Sequence, residues 1–585
     1  MSGPRLKLFT LFSRRFVIAV WALLTVLLIA ANYRAYAQQP PTTPAPAASA
    51  PAPDAPKADP GGVNTGDRTN AANASSAAAF SADDLKKLSD AKDKPASNAD
   101  LLKVLDTVGQ GHIGINFVWT LVTGFLVMFM QVGFAMVETG FCRAKNAAHT
   151  MMMNILVYPV GMLGWWIAGF AIMFGTLAAS KIGGPPSLGG LPTLNGHEFS
   201  VGGFGLVGFN TPLMAGNLYD APVYVLFLFQ LVFMDTAATI PTGAMAERWK
   251  FSAFLVYGLF ISIIAYPVYG HMMWGGGGLA SLGLLKNLGH GAVDFAGSSV
   301  VHAVGGIVGA AGIVVLGPRI GKYGKDGKPR TIAAHHIPMA VVGALILAFG
   351  WFGFNPGSTL GAVGAGNLRI GVIAVNTALA SGGGAISALW YMKRKTGKFD
   401  PGMTVNGFLA GLVAITAPCA FVSSLGAVAI GLIAGVLCVF SCLFLESKGL
   451  DDPVGAVSVH GVCGIFGLLS VGLFADGTYG SGWNGVGADK YLGVAGKGVT
   501  GLLYGDSSQL IAQCIAAVVC IAWSFGIAWL FFKAQHRLMG IRVTPEQEVL
   551  GLDLAEMGVA AYPDFGQRSD HDREVAETIE PTTGR

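Results

Sequence analysis

The sequence predicts an all-α polytopic membrane protein with eleven transmembrane helices, built from two inverted five-helix repeats plus a final helix. Three observations carry that expectation. Hydrophobic residues make up 52% of the 585 residues and charged residues only 12%, about half the charged share of a soluble domain. The apolar stretches are continuous over about 20 residues, the length at which a helix spans a bilayer, whereas the strands of a barrel would alternate. Two glycine-rich segments, Val301–Gly309 and Val459–Gly467, repeat one pattern, a Val-His pair followed by small and apolar residues. The 83 glycines fit a tightly packed bundle, because small residues let helix backbones approach within a membrane.

Taken from the amino terminus, Arg5, Lys7, Arg14 and Arg15 precede an apolar run, Phe16–Ala31, and then Ala35-Tyr36-Ala37. This is the layout of a secretory signal with an A-x-A cleavage site, so residues 1–37 read as a signal peptide or an uncleaved anchor. Residues 38–81 are rich in Ala and Pro, cannot bury a core, and read as a disordered tether. Residues 82–108 read as an amphipathic helix, 109–536 as the membrane domain and 537–585 as a cytoplasmic tail. The expected spans are 116–137, 150–175, 221–245, 251–274, 296–316, 337–355, 370–392, 404–422, 425–445, 456–475 and 509–532. With the tether outside the cell, odd-numbered spans run inward. The predicted inner loops then hold about fourteen Lys and Arg against about five outside, as the positive-inside rule requires.

The repeat acquires geometry from this topology. His302 lies in the fifth span and His460 in the tenth, so an odd number of spans separates the copies and the two halves must be inverted. Each histidine stands about 12 Å of helix beyond an aspartate, Asp294 or Asp452. Entered from opposite faces of a core about 30 Å thick, both reach its middle and can meet. An ionisable side chain at that depth is a functional-site hypothesis by default. A purely packed histidine pair is the bland reading. A metal is another, since imidazoles hold Zn or Cu, but a buried metal needs further ligands. Cys463 is three residues from His460 and nothing comparable flanks His302, so no metal is expected. The remaining reading is a pore element for a small hydrogen-bonding solute, with a proton relay as its extension, because imidazole can donate from one nitrogen and accept at the other. The seven cysteines form no CxxC pair and read as packing residues.

Aromatic residues narrow the solute. Trp351 and Phe352-Gly353-Phe354-Asn355-Pro356-Gly357-Ser358 close the sixth span at the outer face, Trp274 with Gly275–Gly278 closes the fourth at the same face, and Phe233 lies in the third. Aromatic faces with a hydroxyl at one mouth suit a small cation. Singly, each aromatic reads as an interfacial anchor.

The stretch Asp294–His302 resembles the signature of the ammonium transporter (Amt/Mep/Rh) family, bacterial Amt type. Gly350–Asn355, Asp451-Asp452-Pro453 with Val459–Gly464, and Ala246-Glu247-Arg248 resemble it too, in order, over residues 117–562. The resemblance implies an outer substrate site for ammonium at Phe233, Trp274 and Ser358, with Phe233 and Phe354 as a stacked phenyl gate. It implies a twin-histidine pore, His302 and His460, with Trp351 packed beside it, and a structural role for Asp294. It further implies a homotrimer in the lipid bilayer of the inner membrane, and a tail from Gly540 to Leu554 that couples subunits and docks a PII signalling protein. The chain departs from the pattern in a longer loop between Trp274 and Asp294 and in Glu556–Tyr562, where a His-Gly-Glu is frequent. No nucleotide loop or nucleophile constellation is present and the net charge is only +4, so neither enzymatic activity, a cofactor nor nucleic acid is expected. The expectation is ammonium transport. The rivals are an ammonium sensor acting through a separate partner, since the tail is too short for a signalling domain, and a Rh-like neutral gas channel.

Overall fold

The computed structural model describes residues 97–363, 369–486 and 498–563. The expected signal peptide and tether, the first part of the amphipathic helix and the end of the tail lie outside the described residues. Eleven helical segments follow in order: α1 Asn98–Phe141, α2 Ala144–Ala179, α3 Ala221–Ala244, α4 Phe251–Trp274, α5 Ser298–Leu316, α6 Ile337–Thr359, α7 Ile370–Thr396, α8 Pro401–Ile415, α9 Ser424–Ser447, α10 Val457–Phe474 and α11 Ser507–Met539. Ten of these are long and apolar enough to cross a membrane; α8 is not.

The expected eighth span, 404–422, is thus a shorter helix than the sequence predicts. Pro418 explains it, because a proline disfavours helical backbone at the residue before it and removes a donor. The backbone from Thr416 onward turns, and its carbonyls are used by neighbours: Thr416 and Ala417 accept from the amides of Ala296 and Phe295, both at 3.2 Å. Asn376 donates to the carbonyls of Cys419 and Val422 at 2.9 Å. Irregular backbone at membrane depth persists only where protein satisfies it in this way.

Caps set the helix starts. Ser97 and Asp100 form a capping box at α1, and side chains of Asp400, Ser423 and Asp506 accept from the first turns of α8, α9 and α11. The first span is not separate from the segment before it: α1 is one 44-residue helix, about 66 Å long. Between α2 and α3 lies a hairpin the sequence reading did not anticipate, β1 His197–Val201 paired antiparallel with β2 Phe204–Phe209. Its two turn residues, Gly202 and Gly203, both have positive φ, the backbone that a two-residue hairpin loop favours.

α3 and α5 are the most enclosed helices and form the centre. Large apolar side chains on α1, α6, α7, α9 and α11, such as Phe129, Phe349, Trp390, Phe440 and Val518, are exposed. Among the described residues, four π-helical turns within the membrane helices face one another in pairs: Trp165–Gly169 against Ile261–Ala265, and Ser298–Ala303 at the start of α5 against Val457–Val462 at the start of α10.

At the end of α3 away from the hairpin, buried charges tie the segments after α3, α5 and α9 together, and the carboxyl-terminal segment joins them through Glu548, which accepts the Ile320 amide at 2.7 Å. Arg319 forks onto Asp451 (Nε–Oδ2 2.8 Å, Nη2–Oδ1 2.9 Å) and reaches Glu247 at 3.0 Å. Burial alone would raise the Asp451 carboxyl, but Arg319 and Arg248 outweigh it and hold it well below the usual carboxylate range. Arg542 pairs with Glu548 at 2.8 Å, and Asp553 accepts from the amides of Ala148 and His149. This tail face lies opposite the hairpin face.

Candidate functional site

The site begins with spacing on α3. Phe229 and Phe233 are four residues apart and share one helix face, with ring centroids 4.6 Å apart. Phe233 stacks on Phe354 of α6 at 4.1 Å and 27°, and Trp274 meets Phe233 edge-on at 6.2 Å. Phe233 and Phe354 are fully buried. Above them opens a cavity of about 1100 Å³ on the hairpin face, whose lining includes Phe229, Gln230, Trp274, Asp294 and Ser358.

Trp274, Ser358 and Asp294 are each held by hydrogen bonds. The Trp274 indole donates to the Asp294 carbonyl at 2.7 Å, which fixes the ring at the end of α4. Ser358 donates its hydroxyl to the Phe354 carbonyl at 2.7 Å and keeps its lone pairs for other donors. The Asp294 carboxylate accepts the amides of Gly297 and Ser298 on Oδ1 (2.8 and 2.9 Å). Its Oδ2 takes the amides of Ser299 and Val300 and the Ser299 hydroxyl (2.8, 3.1 and 2.7 Å). It therefore caps the start of α5, where backbone amides lack intrahelical partners. Gly297 sits in this cap at φ 113°, and a Cβ there would stand 2.7 Å from Val301 and 3.0 Å from Trp274.

Below the phenyl stack lie the histidines. His302 is 5.3 Å from Phe354, 5.1 Å from Trp351 and 5.2 Å from His460, ring centre to ring centre. The two Nδ1 atoms are 3.2 Å apart, so one ring donates to the other. The Trp351 indole donates to Thr416 Oγ1 at 2.9 Å. Both histidines sit in π-helical turns, which recur at functional sites because they redirect side chains. Asp452 repeats the role of Asp294, accepting the amides of Gly455 and Val457 at 3.0 and 2.7 Å. The pair meets because the helices touch backbone to backbone: a Cβ on Gly306 would lie 2.1 Å from the Gly461 amide nitrogen.

His302 Nε2 is buried with no hydrogen-bond partner among the described residues. Beyond His460, whose ring lies 5.9 Å from Phe134, a cavity of about 20 Å³ is lined by Phe134, Glu138, Asn406, Val454 and His460 among others. All eight residues singled out from the sequence thus fall along one line through the bundle. Trp274, Ser358 and Asp294 border the wide cavity, Phe233 and Phe354 stack behind Phe229 and Trp274, and Trp351, His302 and His460 follow. The reading missed Phe229, Gln230, Thr416, Phe134 and Glu138. The four-residue spacing of Phe229 and Phe233 was a usable signal; Thr416 and Phe134 have none, since only the packing of α8 and α1 brings them there. Among the described residues no group of three or more His, Cys, Asp or Glu stands where it could hold a metal, and Cys463 donates toward the Ala434 carbonyl.

The model of the Ammonium Transporter Family matches residues 118–562. "Ammonium transporter Amt2" of Archaeoglobus fulgidus is 47% identical over 456 residues, 78% of this chain and 89% of that protein. "Putative ammonium transporter sll1017" of Synechocystis is 37% identical over 77% of this chain and 90% of its own length. Among solved structures, "Sensor Amt Protein" superposes with a TM-score of 0.63 at 36% identity, covering 76% of this chain and 98% of that one. Candida albicans Mep2 gives 0.60 at 26% identity over 77% and 90%. With its ten membrane-length apolar helices, this is a multi-pass membrane protein, and the chain belongs to the Ammonium Transporter Family.

Proposed function

We propose that this protein is an ammonium transporter that recruits NH4+ at the wide cavity, removes its proton near the phenyl stack, and conducts NH3 past the histidine pair while the proton moves separately. The observation that carries the reading is the His302–His460 contact beneath stacked Phe233 and Phe354, with His302 Nε2 left without a protein partner. A buried polar nitrogen left unpaired costs about 1–3 kcal/mol, so the position favours a passing donor or acceptor. A bare cation in that apolar stretch is far costlier than neutral ammonia, which motivates the deprotonation. Trp274, Phe233 and Ser358 serve as the recruitment site, with π faces for the cation and the hydroxyl in place of a water. Phe233 and Phe354 are the gate, and Asp294 organises the mouth by capping α5 and holding Trp274.

The same reading gives the architecture. Matching aspartate caps before His302 and His460, and matching π turns that contain them, support two inverted five-helix repeats, with α8 and its unwound continuation completing an eleventh span. The hairpin face is then extracytoplasmic and the tail face cytoplasmic, in an inner membrane, with residues 1–37 a signal, 38–81 a tether and 82–108 the lead-in to α1. The exposed apolar helix faces suit lipid and the neighbouring subunits of a homotrimer. The docked tail is where a PII protein would bind.

Reconstituted proteoliposomes test the function. An ammonium gradient should evoke a saturable inward current. Flux without current would make the protein a Rh-like neutral gas channel, and binding without flux would make it a sensor; either outcome refutes the proposal.

A further inference from the structure

Glu138, three residues before the end of α1, has no place in the transport path as described so far. It is buried and lines the small cavity onto which His460 also faces. Its Oε2 accepts Asn154 Nδ2 and Thr242 Oγ1, each at 2.7 Å. Those donors are themselves held. Asn154 Oδ1 accepts from Thr239 at 2.8 Å, and Gln131 Nε2 donates to Thr239 Oγ1 at 2.9 Å and to the Asn154 carbonyl at 2.6 Å. The result is a polar chain from α1, α2 and α3 that stands behind Glu138, and Glu138 presents it to a cavity whose other lining residues are apolar apart from His460 and Asn406. Gly243 keeps the carboxylate close: a Cβ there would stand 2.6 Å from Val454 and 3.0 Å from Glu138 Oε1.

The Asn154 and Thr242 hydrogen bonds alone do not call for a carboxylate, since the amide oxygen of a glutamine would accept both, although the Gly243 amide that also donates to Glu138 would then face the glutamine NH2. What a carboxylate adds is the capacity to take up a proton. The nearest arginine in sequence, Arg143, pairs with Glu247 instead. Cys142, Tyr257 and Asp452 are the other titratable groups around Glu138, with His460 across the cavity. The cavity, about 20 Å³, holds about one water-sized molecule, which is also the size of ammonia.

We propose that Glu138 is the inner proton acceptor of the transport cycle, taking the proton that travels past His460 and handing it to ammonia in this cavity. The inference rests on the ammonium-transport reading of the histidine line. The proton first binds the carboxylate and gives a neutral acid. The ammonia lone pair then forms a new N–H bond as the acid O–H bond breaks, and NH4+ leaves while the carboxylate is restored. One proton is taken and one given, and one positive charge crosses per ammonium.

Glu138→Gln keeps the acceptor for Asn154 and Thr242 but cannot hold the proton. In proteoliposomes its ammonium-evoked current should fall at least tenfold while ammonia-driven alkalinisation of the lumen remains measurable, and Glu138→Asp should recover part of the current with a displaced pH profile. A Glu138→Gln current within twofold of native with an unchanged pH profile overturns the proposal, as does the loss of current and neutral flux together. Should Glu138→Gln not assemble, Glu138→Asp decides: a native pH profile overturns the assignment. A native protein that carries no current at all refutes the transport reading itself, which is a separate result.

Discussion

The crossing of α5 and α10 should control conduction through a single glycine. At Gly306 an added Cβ would stand 2.1 Å from the Gly461 nitrogen and 2.6 Å from its Cα, where ordinary contact begins at 3.4 Å. The atoms in the way are backbone, so no side chain can swing aside; the helices must separate by about 1 Å or more. His302 stands four residues before Gly306 and His460 one residue before Gly461, and their Nδ1 atoms are already 3.2 Å apart, so a shift of that size takes them beyond hydrogen-bond range. Overpacking of this kind costs about 1–3 kcal/mol, and the lost hydrogen bond about 0.5–1.5 kcal/mol. Gly461 provides the control, because a Cβ there meets nothing nearer than 3.3 Å. Gly306→Ala should therefore fold, melt several degrees lower and lose at least tenfold of its ammonium-evoked current, whereas Gly461→Ala stays near native. Solid-supported-membrane recordings on the two variants read this directly. Equal currents from both would refute the claim that this backbone contact sets the histidine pair.

Two further perturbations address the mouth and the tail. Asp294→Asn turns one carboxylate oxygen into an amide NH2 and leaves at least two of the capped backbone amides unpaired. At about 1–3 kcal/mol each, it should destabilise the protein by roughly 2–6 kcal/mol, seen as a lowered apparent melting temperature in detergent; an unchanged melt contradicts the capping role. At the tail face, the Asp451 carboxyl is held below its usual range despite burial, chiefly by Arg319. A depressed folded value stabilises fully above the unfolded one, near 4, and is lost only as pH falls through the folded value. Protection of the tail from limited proteolysis should accordingly stay flat from about pH 7 to 5 and weaken only below about pH 4. Asp451→Asn breaks a buried pair worth about 3–5 kcal/mol to leave intact and should expose the tail at neutral pH.

Much of this was legible in the chain, for physical reasons that also mark the limits. Continuous apolar runs report membrane helices because the bilayer tolerates little else, and nearly every helix lies close to where those runs placed it. His302 and His460 stood out because an ionisable group in such a run is rare, and the odd number of spans in each repeat, five, was enough to expect inverted halves whose histidines meet. The short α8 was less visible, because its apolar run continues through Pro418 and only the amides of Phe295 and Ala296 reveal why the helix unwinds there. The hairpin between α2 and α3 carries glycines and mixed polarity that read as a loop. Glu138 carries no signal in the sequence, where a carboxylate near a helix end looks like an interfacial charge. Its meaning depends on Asn154 and Thr242, which reach it from other helices. Pairings of that kind have no local signature.

The central claim is that ammonium crosses as ammonia beside a separately moving proton, with the histidine pair serving both. The most direct measurement is the ion selectivity of His302→Ala, His460→Ala in proteoliposomes, with ammonium and K+ currents recorded side by side. The account predicts that the ammonium current collapses, or that it persists only together with a K+ current once the pore admits hydrated cations. A native-sized ammonium current with K+ still excluded would contradict it.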